Sequence, residues 1–579
     1  MYKRASMLLA SLLAVALVPA LAFASAAADA EPEAAAPMAD GEPQYGGTFT
    51  YLIWGTGDAE SADVHVDIWP ALQYVSPILE KLVNGNIDKF GPKGTGEYTF
   101  GPQPTVPYKF VEGNVVESWE VTSEKATLHV RPGVFWTGMS VNPGVMDRRE
   151  YTAQDLATIL QRILESPRGG GVVASDFIAT PYSESIYAQD EYTAIIEFKQ
   201  FYFEWWTNIL LSFEQMAPET IAAGPKDWNN LVGTGPFVVK EYVSGSHIAY
   251  QRNPDYWKRT VIDGKEYQTP FVDEMVWPFI ADESTQIAAL RTATLDAHLN
   301  VDVSHQESLD RTNPDLLKTE QPSGDANFIV LRADREPFTD VNVRRAMMIG
   351  TDRGAIFDAV TGIGVGYSWP IFPGSTGHVA MEDLPESTRM LFDHNPELAR
   401  KMLADAGYPD GFELEITVPT VELEMIDLAE MLAGLWEQDL GVKLNINIVD
   451  HNAYGAMREQ RTYGNIIMWE GYPLLSSSVI DYYKTGAYSN YSMYSNPRID
   501  ELAAEVSVLS EVSDLEPLLQ EMFTIALDEV PIIPLAMASQ YTYWWPWVKN
   551  YYGERNATII QPPVETLWID QALKQEMGY

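Results

Sequence analysis

The chain has no cysteine. That excludes disulfides, thiolate metal sites and thiol nucleophiles in one step, and with them a lipid anchor on an N-terminal cysteine. Positive charge is also scarce: 38 Lys and Arg stand against 81 Asp and Glu, a net charge of −43 at pH 7. A surface this acidic repels nucleic acid and anionic lipid, so neither is expected as a partner. Beyond the N-terminal stretch no apolar run approaches the ~18 residues that a membrane span needs. The H-E-x-x-H, G-x-S-x-G and P-loop patterns are missing. Gly362, Gly364 and Gly366 form a glycine-rich run, but Tyr367 breaks the dinucleotide spacing and a helix precedes it, so a hinge or turn is expected. The 8 histidines are scattered, and the closest pair, His298 and His305, fits no simple zinc spacing. No metal and no cofactor is expected.

What is present begins with an export signal. Lys3 and Arg4 precede an apolar stretch from Met7 to Phe23, and Ala22-Phe23-Ala24 offers a cleavage site, so residues 1–24 read as a signal peptide. Residues 25–43 are small, acidic and proline-containing, and read as a disordered leader. The remainder is too long for one core, so two or three domains are expected.

Local patterns give the fold class. Val115–Val121 and Ala126–Val130 alternate on either side of a Ser123-Glu124-Lys125 turn, a hairpin. From Tyr151 a helix starts, with Thr152 as N-cap, Asp155 three residues on, and Leu156, Ile159, Leu160, Ile163 and Leu164 as one stripe. Phe412–Val418 is a strand, Ile426–Leu440 a helix with Ala429, Leu432, Leu435, Trp436 and Leu440 at helical spacing, and Val442–Ile448 alternates again. Strand, helix and strand joined by short turns predict a βαβ unit with parallel strands.

Several of these blocks carry a resemblance. The hairpin run VVESWEVTSEKATLHVRPGVFWTG (115–138), Tyr151–Leu156, Leu231–Trp257 with its Gly233-Thr234-Gly235-Pro236 and Asn253-Pro254-Asp255-Tyr256-Trp257, Asp340–Arg353, Asn395–Phe412, Tyr494–Leu502 and Val530–Leu535 resemble, in order, the blocks of bacterial extracellular solute-binding proteins of family 5. These are the ligand-capturing subunits of ABC importers. The resemblance implies an α/β, periplasmic binding protein-like fold: two main lobes plus an extra third domain, with a ligand cleft between lobes that closes by a hinge. It implies a discontinuous domain I (44–80, 215–322 and 536–579), a domain II (81–214) and a domain III (323–535). Without a lipid tether, such a binder is expected in the periplasm, as a monomer that meets the membrane only through its permease.

The site follows from the same resemblance. One wall would be the loop after the strand Asn465–Met468, here Trp469-Glu470-Gly471-Tyr472. Peptide-binding members read roughly W-x-x-D-Y there, and the aspartate pairs with the peptide ammonium. In this chain Trp469 matches the aromatic, Tyr472 stands in the aspartate position, and Glu470 is the nearest acid. An unpaired buried ammonium is costly, so the departure tilts the reading toward an oligosaccharide held on Trp469 and Tyr472, nearly level with an oligopeptide. The opposite wall would be the loop after the first strand, with Asp58 and Glu60. Arg461 could reach a ligand carboxylate.

Two other classes stay open. Acidic pairs such as Glu413/Glu415 and Glu422/Glu424 would suit a secreted glycoside hydrolase, although such pairs are expected by chance in a chain this acidic. A ligand sensor passing its closed state to a chemosensory receptor would share every feature above. The primary expectation is a non-catalytic, periplasmic substrate-binding protein delivering an oligopeptide or oligosaccharide to ABC permease subunits. The aromatic run Tyr541–Tyr552 is expected to pack rather than to touch ligand.

Overall fold

Alternation at Thr48–Leu52 gives the first strand, β1, which buries Phe49, Tyr51 and Leu52. The structure is a computed structural model. It describes residues 41–579 apart from 54–60, 66–67, 102–105, 166–182, 200, 202, 204–205, 207–213, 325, 361–362, 368, 421–422, 472–475, 536 and 556–560. The expected signal peptide and nearly all of the leader lie outside the described residues, as do Asp58, Glu60 and Tyr472.

Strands β2 (Val83–Gly85) and β3 (Val111–Gly113) pair antiparallel. Strands β4 (Val116–Val121) and β5 (Lys125–Val130) form the expected hairpin, with Val121 opposite Ala126 and Thr122 N donating to Lys125 O at 2.9 Å across the turn. Helix α1 (Ala153–Glu165) follows, then β6 (Ser183–Ala188) and β7 (Thr193–Phe198), which complete a four-stranded sheet of order β4-β5-β7-β6. The α1 stripe predicted from spacing is buried at Leu156, Ile159, Leu160 and Ile163. Asp155 turns back to accept from Thr152 N at 3.0 Å and Thr152 Oγ1 at 3.1 Å, and Arg149 grips the same carboxylate at 2.7 Å.

Further along run β8 (Phe237–Val243), β9 (His247–Arg252), β10 (Arg259–Ile262), β11 (Lys265–Gln268), β12 (Glu274–Pro278), β13 (Ala297–Val301), β14 (Leu317–Pro322), β15 (Ala326–Leu331), β16 (Gly364–Val365) and β17 (Glu413–Pro419). Then come α2 (Leu423–Leu440), β18 (Lys443–Val449), α3 (His451–Gln460), β19 (Ile466–Gly471), α4 (Ser476–Tyr483), β20 (Ile532–Pro534) and β21 (Met537–Trp544). Apart from the separate β10–β11 hairpin, these strands make two sheets. The larger has the order β8-β9-β12-β1-β13-β21-β14, with β16 added on β21 and β1 parallel to both neighbours. The glycine-rich run thus contributes a strand pairing, Gly364 with Ala538, rather than a free turn.

The second sheet has the order β18-β17-β19-β15-β20. β17 runs parallel to β18 over the whole of Glu413–Pro419, and α2 packs its Leu432 and Trp436 against them, so the βαβ unit forms as the spacing predicts. One face of this sheet buries Phe328, Val330 and Ile467; the other buries Ile329, Leu331, Ile466 and Met468. Tyr541, Tyr543, Trp544, Trp545, Trp547 and Tyr551 are buried, and Trp545 stacks on Trp547 with ring centres 4.8 Å apart. That run packs, as expected.

The chain crosses from the large sheet to the second between Pro322 and Ala326 and returns between Pro534 and Met537. The two crossings lie side by side. Ser323 N donates to Ala538 O at 2.8 Å, and Leu535 N donates to Asn327 O at 3.1 Å. Among the described residues no helix is long and apolar enough to cross a membrane.

Candidate functional site

The family resemblance places Trp469, Glu470 and Gly471 in the loop after the strand Asn465–Met468. The structure keeps all three in β19. Ala326, Asn327 and Phe328 of β15 pair with Gly471, Glu470 and Trp469, and this ladder extends the strand to Gly471. Strand pleating then separates the two residues read as one wall. Trp469 shares a face with Phe328, while Glu470, half-buried, lies on the opposite face with Asn327.

Trp469 is half-buried and braced on three rings. Phe328 lies 5.9 Å away, Tyr482 of α4 4.8 Å and Tyr491 4.8 Å, all with ring planes steeply inclined to the indole. Behind them Trp369 packs on Phe328 at 4.1 Å and stacks parallel to Tyr482 at 5.9 Å. Edge-to-face contacts of this kind favour one orientation of the ring beyond the area they bury. Trp469 is therefore held still, with part of its surface left open at the carboxyl end of a strand. Residue types alone would not have singled out Phe328, Trp369 or Tyr491, which lie far from Trp469 in sequence. Tyr482 had a weak signal, the Asp481-Tyr482-Tyr483 run soon after the tryptophan.

Gly471 makes this packing possible. A Cβ there would sit 2.5 Å from Phe328 Cε2 and 3.2 Å from the Tyr482 hydroxyl. Gly471→Ala is expected to push Phe328 off the indole and to cost about 1–3 kcal/mol of stability. Urea unfolding of the variant measures it; a midpoint equal to that of the wild type would mean that the rings give way freely.

Arg461 does not meet Trp469. It caps α3 in the left-handed conformation (φ 54°), and its guanidinium donates to the carbonyls of Glu459 and Tyr488. It also lies 5.0 Å from the Tyr491 ring, with Arg458 5.3 Å from the same ring. The two arginines thus hold Tyr491, which in turn braces Trp469. Burial pushes the Tyr491 phenol up, and Arg458 and Arg461 only partly offset this. Among the described residues the rings against Trp469 are those of Phe328, Tyr482 and Tyr491. Among the described residues no group of three or more His, Asp or Glu could hold a metal ion.

The model of bacterial extracellular solute-binding proteins, family 5 (middle region) matches residues 111–500. The chain belongs to this family. Among family 5 relatives, heme-binding protein A of Haemophilus influenzae is 27% identical over 76% of this chain and 81% of its own length. The periplasmic oligopeptide-binding protein OppA of Salmonella typhimurium is 23% identical over 94% of this chain and 96% of its own. The structure of HbpA2 from Haemophilus parasuis matches with a TM-score of 0.72 over 90% of this chain and all of that one, at 19% identity, a likeness of fold. The family 5 fold of this chain is accordingly the lobed α/β fold of periplasmic binding proteins.

Proposed function

We propose that this chain is a periplasmic ligand-capturing subunit of an ABC importer, that its ligand is a peptide, and that it delivers the ligand to membrane permease subunits without chemistry of its own. The ligand would lie between the carboxyl end of β19 and the carboxyl ends of β1 and β13, where open α/β sheets take their ligands. The two adjacent crossings would serve as the hinge, and ligand would favour the closed state. The expected division into domains I, II and III is kept as part of this reading, with the three main sheets as their frames.

The observation that carries the reading is Trp469: half-open, immobilised by three rings, at the strand end where a ligand wall is expected in this family. A fixed indole offers a flat apolar platform at low entropic cost. The oligosaccharide half of the initial expectation draws no support from the relatives named above, of which one is a peptide binder and one a haem binder by name. Peptide is therefore preferred.

Titration calorimetry with tri- to pentapeptides, haemin and maltotriose tests it. Peptides are expected to bind one to one without turnover, and maltotriose to give no heat. Trp469→Ala is expected to weaken peptide binding about tenfold or more, the loss typical of a central aromatic anchor. Saturable binding of haemin or maltotriose with none for peptides would overturn the ligand assignment. Hydrolysis of any probe would overturn the binder reading.

A further inference from the structure

Away from Trp469, the β2–β3 pair, the residues around β10 and the C-terminal segment 561–566 enclose two neighbouring cavities. One is lined by Asp88, Glu112 and Lys258 among others, and both are open to solvent. Asn84 and Glu565 line both. Asn84 is 7% exposed and Glu565 8%. Among the described residues the Asn84 amide has no hydrogen-bond partner, although its position opposite Glu112 on the β2–β3 ladder fixes it at the cavity wall. Asn84 lines both spaces, so this unpartnered amide is open to whatever fills them.

The charges around this space do not balance. Arg259 is committed to Glu266 at 3.0 Å and Lys93 to Glu554 at 3.5 Å. Glu80, behind the wall, accepts from the Tyr256 hydroxyl and Trp257 Nε1, each at 2.9 Å. That leaves Asp88, Glu112 and Glu565 facing one ammonium, Lys258, whose Nζ comes no closer than 4.0 Å to Glu565. Among the described residues neither Asp88 nor Glu112 has an ion-pair or side-chain hydrogen-bond partner. Burial raises the Glu112 carboxyl most; Lys258 and Arg131 oppose this, Asp88 and Glu565 add to it, and the net shift is upward. Burial lowers the Lys258 ammonium, but Glu565, Glu112, Glu80 and Asp88 outweigh it, and the net shift is upward. The cavity is short of positive charge.

We propose that this cavity is a second ligand site, for a small organic cation that donates hydrogen bonds through an ammonium or guanidinium group. The Asn84 carbonyl and the Glu112 and Glu565 carboxylates would accept from its N–H groups, with Asp88 at the rim. The carboxylates are spread along the walls and not gathered at metal-ligand distance, which suits an N–H fork better than a bare metal ion. The site stands apart from the Trp469 region and does not depend on what that region binds.

The test uses agmatine as the probe and tetramethylammonium as a cation without N–H donors, both at constant ionic strength, in calorimetry and thermal melts of the full chain. Agmatine is expected to bind saturably and raise the melting temperature, while tetramethylammonium does neither. Asp88→Asn changes an exposed rim residue and is expected to fold and to weaken agmatine about tenfold, the loss of one charged contact. Glu112→Gln with Glu565→Gln is expected to abolish binding, and Trp469→Ala to leave it unchanged. No saturable heat from agmatine overturns the proposal, as does an equal response to tetramethylammonium or full binding by Asp88→Asn.

Discussion

Lys81→Met is expected to cost the fold about 3–5 kcal/mol, the loss typical of stranding one partner of a buried ion pair. Lys81 and Glu214 are each 2% exposed, and Lys81 Nζ lies 3.2 Å from Glu214 Oε1. The two residues also form an isolated antiparallel bridge, so backbone pairing fixes the side chains opposite one another. Burial pushes the Lys81 ammonium down and the Glu214 carboxyl up, and each partner opposes the shift of the other. With methionine at 81, Glu214 must either carry an uncompensated charge or take up a proton. Removing both charges, as in Lys81→Met with Glu214→Gln, is expected to recover much of the loss, because no charge is then stranded. Urea unfolding of the two single variants and the double variant measures the coupling. A single-variant loss below about 1 kcal/mol would mean that the pair contributes no more than an exposed one.

The second large effect is acid sensitivity traced to two buried histidines. Burial holds His298 down to about 3, with the charge of Arg555 adding to it, and burial holds His65 down to about 4, with Arg162 adding to it. Both are neutral in the folded chain at pH 5, whereas an unfolded histidine takes its proton near pH 6.5. Between those values the unfolded chain binds more protons, so stability falls as pH falls, by about 1.4 kcal/mol per pH unit for each histidine. Glu80, Glu112 and Glu214, raised by burial, act in the opposite sense: they favour the folded chain as pH falls and lose that contribution as it rises. Comparison with His298→Gln isolates one term. The stability advantage of the wild type over this variant is expected to shrink by about 2 kcal/mol between pH 6.5 and pH 5 in urea unfolding. An advantage independent of pH would mean that His298 is protonated in the folded chain.

Much of the fold was legible because its signals are local. The stripe of α1 and the strand–helix–strand run from Phe412 to Ile448 announce both the elements and their parallel pairing, and the structure shows that pairing residue by residue. Trp469 was legible as a candidate through family resemblance. Its surroundings were not, because Trp369 and Phe328 reach it across a hundred residues or more of chain. The extent of β19 was hidden for the same reason: Gly471 reads as a turn residue, but Ala326, far upstream, pairs with it and holds it extended. The polar cavities are built from three distant segments, none of which carries a pattern of its own. Asn84 and Glu565 become neighbours only when the C-terminal segment returns to β2.

The paired crossings have one more consequence. Leu535 hydrogen-bonds to Asn327, so a loop of about two hundred residues, which touches the large sheet in between through β16, leaves and re-enters that sheet at one point. Closing a loop that long costs only about 0.6 kcal/mol more than closing one half its length. The stretch therefore has the topology of an insertion. Its ends lie close enough for a short linker to replace the stretch, at the loss of β16 alone from the large sheet.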